Sequence, residues 1–337
     1  MASDDGAGFR IGFYLVDEFS MIAFVSAVEA LRLANHVSED TPFSWMAVAD
    51  TAGPVMASNG IELTAECALN DAGPLDAVFV CGGVNIQAHE DRAMMASLRR
   101  RVAHGAALGA LCTGTHILAC AGLMDGYRCT IHWENIQAFI EAFPDVEVSN
   151  ELFTIDRNRY TCAGGTAALD LMLNLISMHL GPDVAATVSD ELVHHRIREG
   201  SEGQRMDLRS RSGIAHPKLL SVVAAMEENI ETPMSCAQLA AAVGLSTRQL
   251  ERLFRTYLST APTRYYLRMR LERARTLLRQ TSMPIFDVAL ATGFISASHF
   301  SKCFREHFGT PPSAERRRVT PGQNPPFAED ADNARQA

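Results

Sequence analysis

The stretch "GAALGALCTGTHILACAG", residues 105–122, decides how the first half of the chain is read. An apolar run (106–112) ends in a cysteine, and a small-residue turn then opens a segment of helical periodicity near Thr113. That order puts Cys112 at the top of a strand, facing whatever lies above the sheet. The same strand, turn and helix order runs through "LDAVFVCGG" (75–83) and "DRAMMASLRRRVAHG" (91–105), the helix stopped by Gly105. It returns in "RYTCAGG" (159–165) and "TAALDLMLNLISMHLG" (166–181). Upstream, "FRIGFYLV" (9–16) and "FSWMAVAD" (43–50) read as strands, and "SMIAFVSAVEALRLAN" (20–35) as a helix with Ser20 at its N-cap. Repeated βα units predict an α/β fold: a parallel sheet with helices on both faces and sites at the strands' C-terminal ends.

At 337 residues the chain can hold two or three domains, each with its own core. No run approaches the roughly 18–20 apolar residues of a membrane span, and the acidic start "MASDDGAGFR" lacks the apolar core of a secretory signal. A cytoplasmic protein with no membrane partner is the expectation. Eight cysteines are scattered without paired spacing and read as reduced thiols.

The net charge of −9 hides a division. Residues 1–215 carry 14 basic and 28 acidic side chains, whereas residues 216–318 carry 15 and 8. Thirteen of those fifteen are arginines, which points the C-terminal part toward an anionic partner. Periodicity is lost over "HHRIREGSEGQRMDLRSRSGIA", so the predicted organisation is a sensing domain (1–193), a linker (194–215), an all-α domain (216–318) and a disordered polar tail (319–337).

Two similar units lie in the basic part. In "SCAQLAAAVGLSTRQLERLFRTYL" (235–258) a short helix ends near Val243, Gly244 permits a tight turn, and Ser246 caps a second helix. That second helix gathers Leu250, Leu253 and Phe254 on one face and shows Arg248, Gln249, Arg252 and Arg255 elsewhere. "PIFDVALATGFISASHFSKCFREHF" (284–308) repeats the scheme with Gly293 at the turn and Ser296 at the cap. "TRYYLRMRLERARTLLRQ" (263–280) is long enough to join them as a helix of about five turns. Two helix-turn-helix units on one connecting helix can set their second helices in successive major grooves. The alternative is a helical bundle with a charged surface; matching turn glycines and cap serines inside the only basic region favour DNA.

These residues carry a resemblance. "LSTRQLERLFRTYL" (245–258), Pro262, "RLERARTLL" (270–278) and "PIFDVALATGFISASHFSKCFREHFGTPPSAERR" (284–317) resemble the AraC/XylS transcription regulators. "FVCGG" (79–83), "ALCTGTHILACAGLMDGYRCTIHW" (110–133) and "CAGGTAALDL" (162–171) resemble the ThiJ/PfpI superfamily, related to class I glutamine amidotransferases, and this implies a flavodoxin-like parallel sheet. Together they resemble the GlxA-type regulators. The resemblance implies two recognition helices, with Thr247, Arg248, Gln249, Arg252, Arg255, Ser296, Ser298, His299 and Lys302 facing an operator in double-stranded DNA. It also implies a small-molecule effector, RNA polymerase as a partner, and a homodimer.

In catalytic members of the superfamily an elbow cysteine is supported by an acid from the first helix and a histidine after the next strand, with amides forming an oxyanion hole. Cys112, His132, Gly82 and Gly83 stand at the matching positions. The acid does not: Ala23 takes its place, and Asp17 and Glu18 fall in the preceding loop. Cys112 is then a ligand-pocket residue, a small residue suited to a strained elbow, or a nucleophile; the missing acid favours the first. Amides at Gly82, Gly83, Val84, Thr113 and Gly114 suit a carboxylate. Trp133, if not ordinary core, and Glu134 suit an ammonium. The expected effector is a zwitterion such as glycine betaine or dimethylglycine, in keeping with a resemblance to regulators of betaine and carnitine catabolism. Cys112, His116 and Cys120 share a helical spacing that can present metal ligands, but their apolar surroundings favour core packing, and neither metal nor cofactor is expected. The function expected is a ligand-responsive transcription activator without enzymatic activity. The alternatives are a cysteine-dependent amidase or hydrolase with an appended DNA-binding domain, and a nucleoid-associated structural protein without a ligand.

Overall fold

Five short strands form the parallel heart of the first unit: β1 (Phe9–Leu15), β2 (Phe43–Ala49), β6 (Ala77–Cys81), β7 (Ala107–Leu111) and β11 (Arg159–Cys162). The computed structural model describes residues 8–38, 40–204, 214, 216–281 and 283–317. With β10 (Phe153–Asp156) and β5 (Cys67–Ala68), the strands lie in the order β10-β11-β7-β6-β1-β2-β5, and only the β10–β11 pairing is antiparallel. Side chains alternate between faces, as a period of two demands. Ile11, Phe13 and Phe79 enter the core shared with α1 (Met21–Val37), α5 (Ala167–Leu180) and α6 (Pro182–Glu191). Tyr14, Val78 and Val80 enter the opposite core, against α2 (Arg92–Ala103), α3 (Gly114–Cys120) and α4 (Ile136–Ala142).

Register brings Leu15, Cys81, Leu111 and Cys162 into line, so the strands' C-terminal ends form one platform for the loops above. Two pairs stand outside this sheet: the hairpin β3 (Gly53–Met56) and β4 (Glu62–Ala65), and the parallel pair β8 (Arg128–Thr130) and β9 (Glu147–Ser149). Ser20 holds the N-cap of α1 without a hydroxyl cap; its backbone N–H donates to Gly82 O at 2.9 Å and ties that helix to the β6 turn.

Contacts divide the chain at Ser212/Gly213. Residues 194–204 of the segment expected to be a tether are ordered against the first unit. Asp170, fully buried, accepts from the Arg198 guanidinium and backbone N–H and lies 3.0 Å from His194 Nε2. Leu152 N–H donates to Gly200 O and Glu202 O, and the Gln204 side chain donates to Thr130 Oγ1 and to Ile131 and Glu151 carbonyls. A buried carboxylate needs such partners, and this polar strap supplies them. The rest of the expected linker, apart from Ile214, and the expected tail (319–337) lie outside the described residues.

The second unit holds α7 (Pro217–Glu228), α8 (Cys236–Ala242), α9 (Thr247–Leu258), α10 (Pro262–Gln280), α11 (Ile285–Ala291), α12 (Ala297–Phe308) and α13 (Pro312–Arg317). The last helix, α13, is fixed to α10 through Glu315, which is only 1% exposed and is held by Arg275 and Arg279. Leu250 and Phe254 of α9 and Phe300 and Phe304 of α12 are fully buried, each pair one helical turn apart.

Candidate functional site

The elbow is built from backbone constraint. Cys112 has φ +61°, a left-handed conformation that costs a non-glycine residue about 1–3 kcal/mol. Its N–H donates to Cys162 O at 3.1 Å, which holds the turn against β11. Gly164 (φ +88°) leaves room for the cysteine: a Cβ there would stand 2.6 Å from the Cys112 Cβ and 3.0 Å from its Sγ. Thr113 Oγ1 donates to Gly83 O at 2.7 Å, joining the elbow to the β6 turn. Thr115 Oγ1 donates to Thr130 O at 2.7 Å, which draws β8, and with it residues 132–134, to the side of α3.

Burial pushes the Cys112 thiol up to about 12; Cys162 adds to this, the Thr113 N–H opposes it, and Glu134 adds a little more. A thiol with that value stays protonated at neutral pH, with a thiolate fraction about a thousandfold below that of free cysteine. Cys112 is therefore expected to react with iodoacetamide at neutral pH at least ~100-fold more slowly than a free thiol. Site-resolved mass spectrometry checks this, and labelling at the free-thiol rate would reveal an activated nucleophile. Ala23 is buried in α1. Asp17 Oδ1 accepts from Met56 N–H at 3.2 Å and Glu18 Oε2 from Asn85 Nδ2 at 2.7 Å, so both loop acids are engaged elsewhere.

The amides expected to hold a carboxylate divide. Gly82 N–H donates to Leu111 O and Val84 N–H to Glu18 O, so these two are consumed by the fold. The Thr113 N–H meets the Cys112 sulfur. His132, Trp133 and Glu134 form a second group: His132 Nδ1 is 3.9 Å from Glu134 Oε2, and the His132 and Trp133 rings lie 5.7 Å apart. Burial lowers the His132 pKa and Glu134 partly restores it. Trp133 is 38% exposed and so is not ordinary core. Sequence reasoning missed a cavity of about 410 Å³ at the ends of β1 and β2, lined among others by Asp17, Asp50, Glu90 and Asp91. Its acids come from three separate loops, Glu90 and Asp91 sharing one, and no local motif announces them.

In the second unit, capping boxes start α8 (Ser235 with Gln238) and α9 (Ser246 with Gln249), and Ser296 caps α12. Thr247, Arg248, Gln249, Arg252 and Arg255 of the first unit are exposed, as are Ser296, Ser298, His299 and Lys302 of the second. Gln249 and Ser296 spend polar atoms on the caps, at 2.8 Å to Ser246 N and 3.4 Å to His299 N. Arg305 was missed although it is exposed one turn beyond Lys302, on a face with Ser298. Ile295, 95% exposed in the turn before α12, was missed as well. Arg270 is a structural arginine: its guanidinium donates to Thr292 O and Gly293 O, each at 2.7 Å, and covers the Phe294 ring.

No helix among the described residues is long and apolar enough to cross a membrane. Residues 9–178 match the DJ-1/PfpI family and residues 239–318 a helix-turn-helix domain. The chain is 47% identical over 313 residues to the HTH-type transcriptional regulator GbdR of Pseudomonas aeruginosa, covering 93% of this chain and 85% of that one. It is 37% identical to the HTH-type transcriptional regulator GlxA of Rhizobium meliloti, covering 92% and 96%. Among solved structures, an AraC family transcriptional regulator from Pseudomonas putida matches with a TM-score of 0.51 and 32% identity, over 55% of this chain and 99% of that one. A ThiJ/PfpI family protein from Pseudomonas syringae, 20% identical with a TM-score of 0.52 over 66% and 87%, shares the fold. The chain belongs to the AraC-type transcription regulators that join a DJ-1/PfpI domain to a C-terminal helix-turn-helix domain.

Proposed function

We propose that this transcription regulator activates its promoters as a cytoplasmic homodimer that engages RNA polymerase, and that its first unit senses a small ammonium compound without turning it over. The observation that carries the sensing reading is the elbow itself: a buried, protonated thiol with Ala23 in place of the first-helix acid, and near it the exposed group of His132, Trp133 and Glu134. A cation over an indole face is worth about 0.5–2 kcal/mol. The effector's carboxylate meets the Gly83 and Gly114 amides, the members of the expected set that neither the β6 turn nor the Cys112 sulfur takes up. Calorimetric titration of glycine betaine and dimethylglycine into the full chain tests this, with Trp133→Ala expected to weaken binding about 2- to 30-fold. Unchanged affinity in that variant removes the site.

A second reading of the effector site is favoured by the acidic cavity beneath Tyr14, which suits a cation without a carboxylate. Loss of binding in Asp50→Asn but not in Trp133→Ala selects it. On DNA, we assign base and phosphate contacts to the exposed faces of α9 and α12, with Arg305 added to the set. Arg252→Ala is expected to weaken binding of the full chain to its operator about 5- to 150-fold, the range of one lost base contact. Fluorescence anisotropy measures it. An effect equal on operator and unrelated DNA would make Arg252 a phosphate contact.

A further inference from the structure

Glu90, His116 and Cys120 form a group that the sensing site at Trp133 does not use. His116 and Cys120 lie one turn apart on α3, and Glu90 follows the 3₁₀ turn Ile86–His89. His116 is buried, its Nε2 2.8 Å from Glu90 Oε1. One ligand atom from each of the three residues lies within 4.8 Å of the other two. The helical spacing in the sequence had grouped Cys112 with His116 and Cys120. Cys112 precedes the helix in a left-handed conformation and drops out, and Glu90 replaces it.

We propose that Glu90, His116 and Cys120 bind one divalent transition-metal ion of the zinc class. An imidazole, a thiolate and a carboxylate are the donor set such borderline ions select, and hard cations do not take thiolate. Bond lengths of about 2.0–2.3 Å put donors roughly 3.3–3.8 Å apart around a tetrahedral ion, a shift of about an ångström or less from the separations present. On binding, the Cys120 S–H bond breaks, its proton leaves to solvent, and a sulfur–metal bond forms. The thiolate and carboxylate together cancel the ion's two charges, so a neutral complex is what becomes half-buried. The Glu90 side chain is 43% exposed, which leaves an entry path and a position for water as fourth ligand. The acidic cavity that Glu90 lines raises the local concentration of cations at that entrance. The Phe143 ring packs edge-on against that of His116 at 5.3 Å and helps to fix the imidazole. The ion would clamp the 86–90 segment to α3, the helix that begins at the elbow.

The test uses cobalt(II) as the probe on the metal-stripped full chain under reducing conditions. One equivalent is expected to give a thiolate-to-cobalt charge-transfer band that zinc(II) then abolishes. Cys120→Ser removes the band. Cys303→Ser keeps it, and this control matters because His299 Nε2 lies 3.3 Å from Cys303 Sγ on α12. Glu90→Gln, at an exposed side chain, lowers cobalt affinity by about tenfold or more. Circular dichroism establishes that each variant is folded. The proposal is overturned by no band at stoichiometric cobalt, by a band that survives Cys120→Ser or is lost in Cys303→Ser, or by unchanged affinity in Glu90→Gln, which decides alone if the cysteine variant does not fold.

Discussion

Asp170→Ala is expected to destabilise the first unit by about 3 kcal/mol, the lower end of the 3–5 kcal/mol range for breaking a buried ion pair from one side. The carboxylate is fully buried in the first turn of α5, and Arg198 and His194 converge on it from the strap. Removing it leaves the Arg198 guanidinium without its carboxylate, but that side chain also donates to Thr166 Oγ1, is 26% exposed and can turn to water, which sets the lower figure. For a unit of this size the melting temperature should fall by roughly 6–12 °C. The strap should detach before the sheet melts, so limited proteolysis between residues 194 and 204 should accelerate. Asp170→Asn keeps the shape and some hydrogen bonds, and should cost about half as much. An unchanged melting temperature in Asp170→Ala would mean that the strap contributes nothing to the unit.

Gly83→Ala is expected to be comparably damaging, for a steric reason. A Cβ at Gly83 would stand 1.9 Å from Glu18 O and 2.8 Å from the Phe19 carbonyl carbon, both backbone atoms. The Glu18 carbonyl also accepts from Val84 N–H, and Glu18 has φ +61°, so the loop that must move is pinned. Overpacking of this kind costs about 3 kcal/mol or more. Gly73→Ala is the control, because its Cβ would meet only the end of the Arg10 side chain at 3.6 Å. Urea denaturation of the two variants should separate them by at least ~2 kcal/mol. Equal stability would show that the β6 turn tolerates displacement and that its glycines serve a ligand instead. The geometry assigns them first to the close approach of two backbones.

The strand, elbow and helix order was legible because β6 and β7 are buried on both faces and so read as unbroken apolar runs. The helix-turn-helix units were legible because Gly244, Gly293 and the cap serines act within a few residues of where they stand. β8 was not, since "RCT" has no run or alternation to mark it, and its place depends on Thr115 and Thr161. The strap has the composition of a tether; what orders it is Asp170, at least 24 residues upstream. Glu90 is likewise 26 residues from His116, a distance at which spacing carries no signal. Arg305 stands apart from these, because helical periodicity from Lys302 sufficed to find it.

The internal commitments of the C-terminal arginines bear on the ion atmosphere of the complex with DNA. Arg270 clamps the second turn, Arg275 and Arg279 hold Glu315, and Arg316 donates to Met283 O. A guanidinium already engaged with carbonyls or a carboxylate displaces no cation condensed on a phosphate. At least four of the fifteen basic side chains are so engaged, and the salt dependence of operator affinity, about 0.9 per neutralised phosphate in a double-logarithmic plot, should count only the remainder. The positive charge of this part of the chain is in good measure internal mortar, and the complex should be less sensitive to ionic strength than its arginine content suggests.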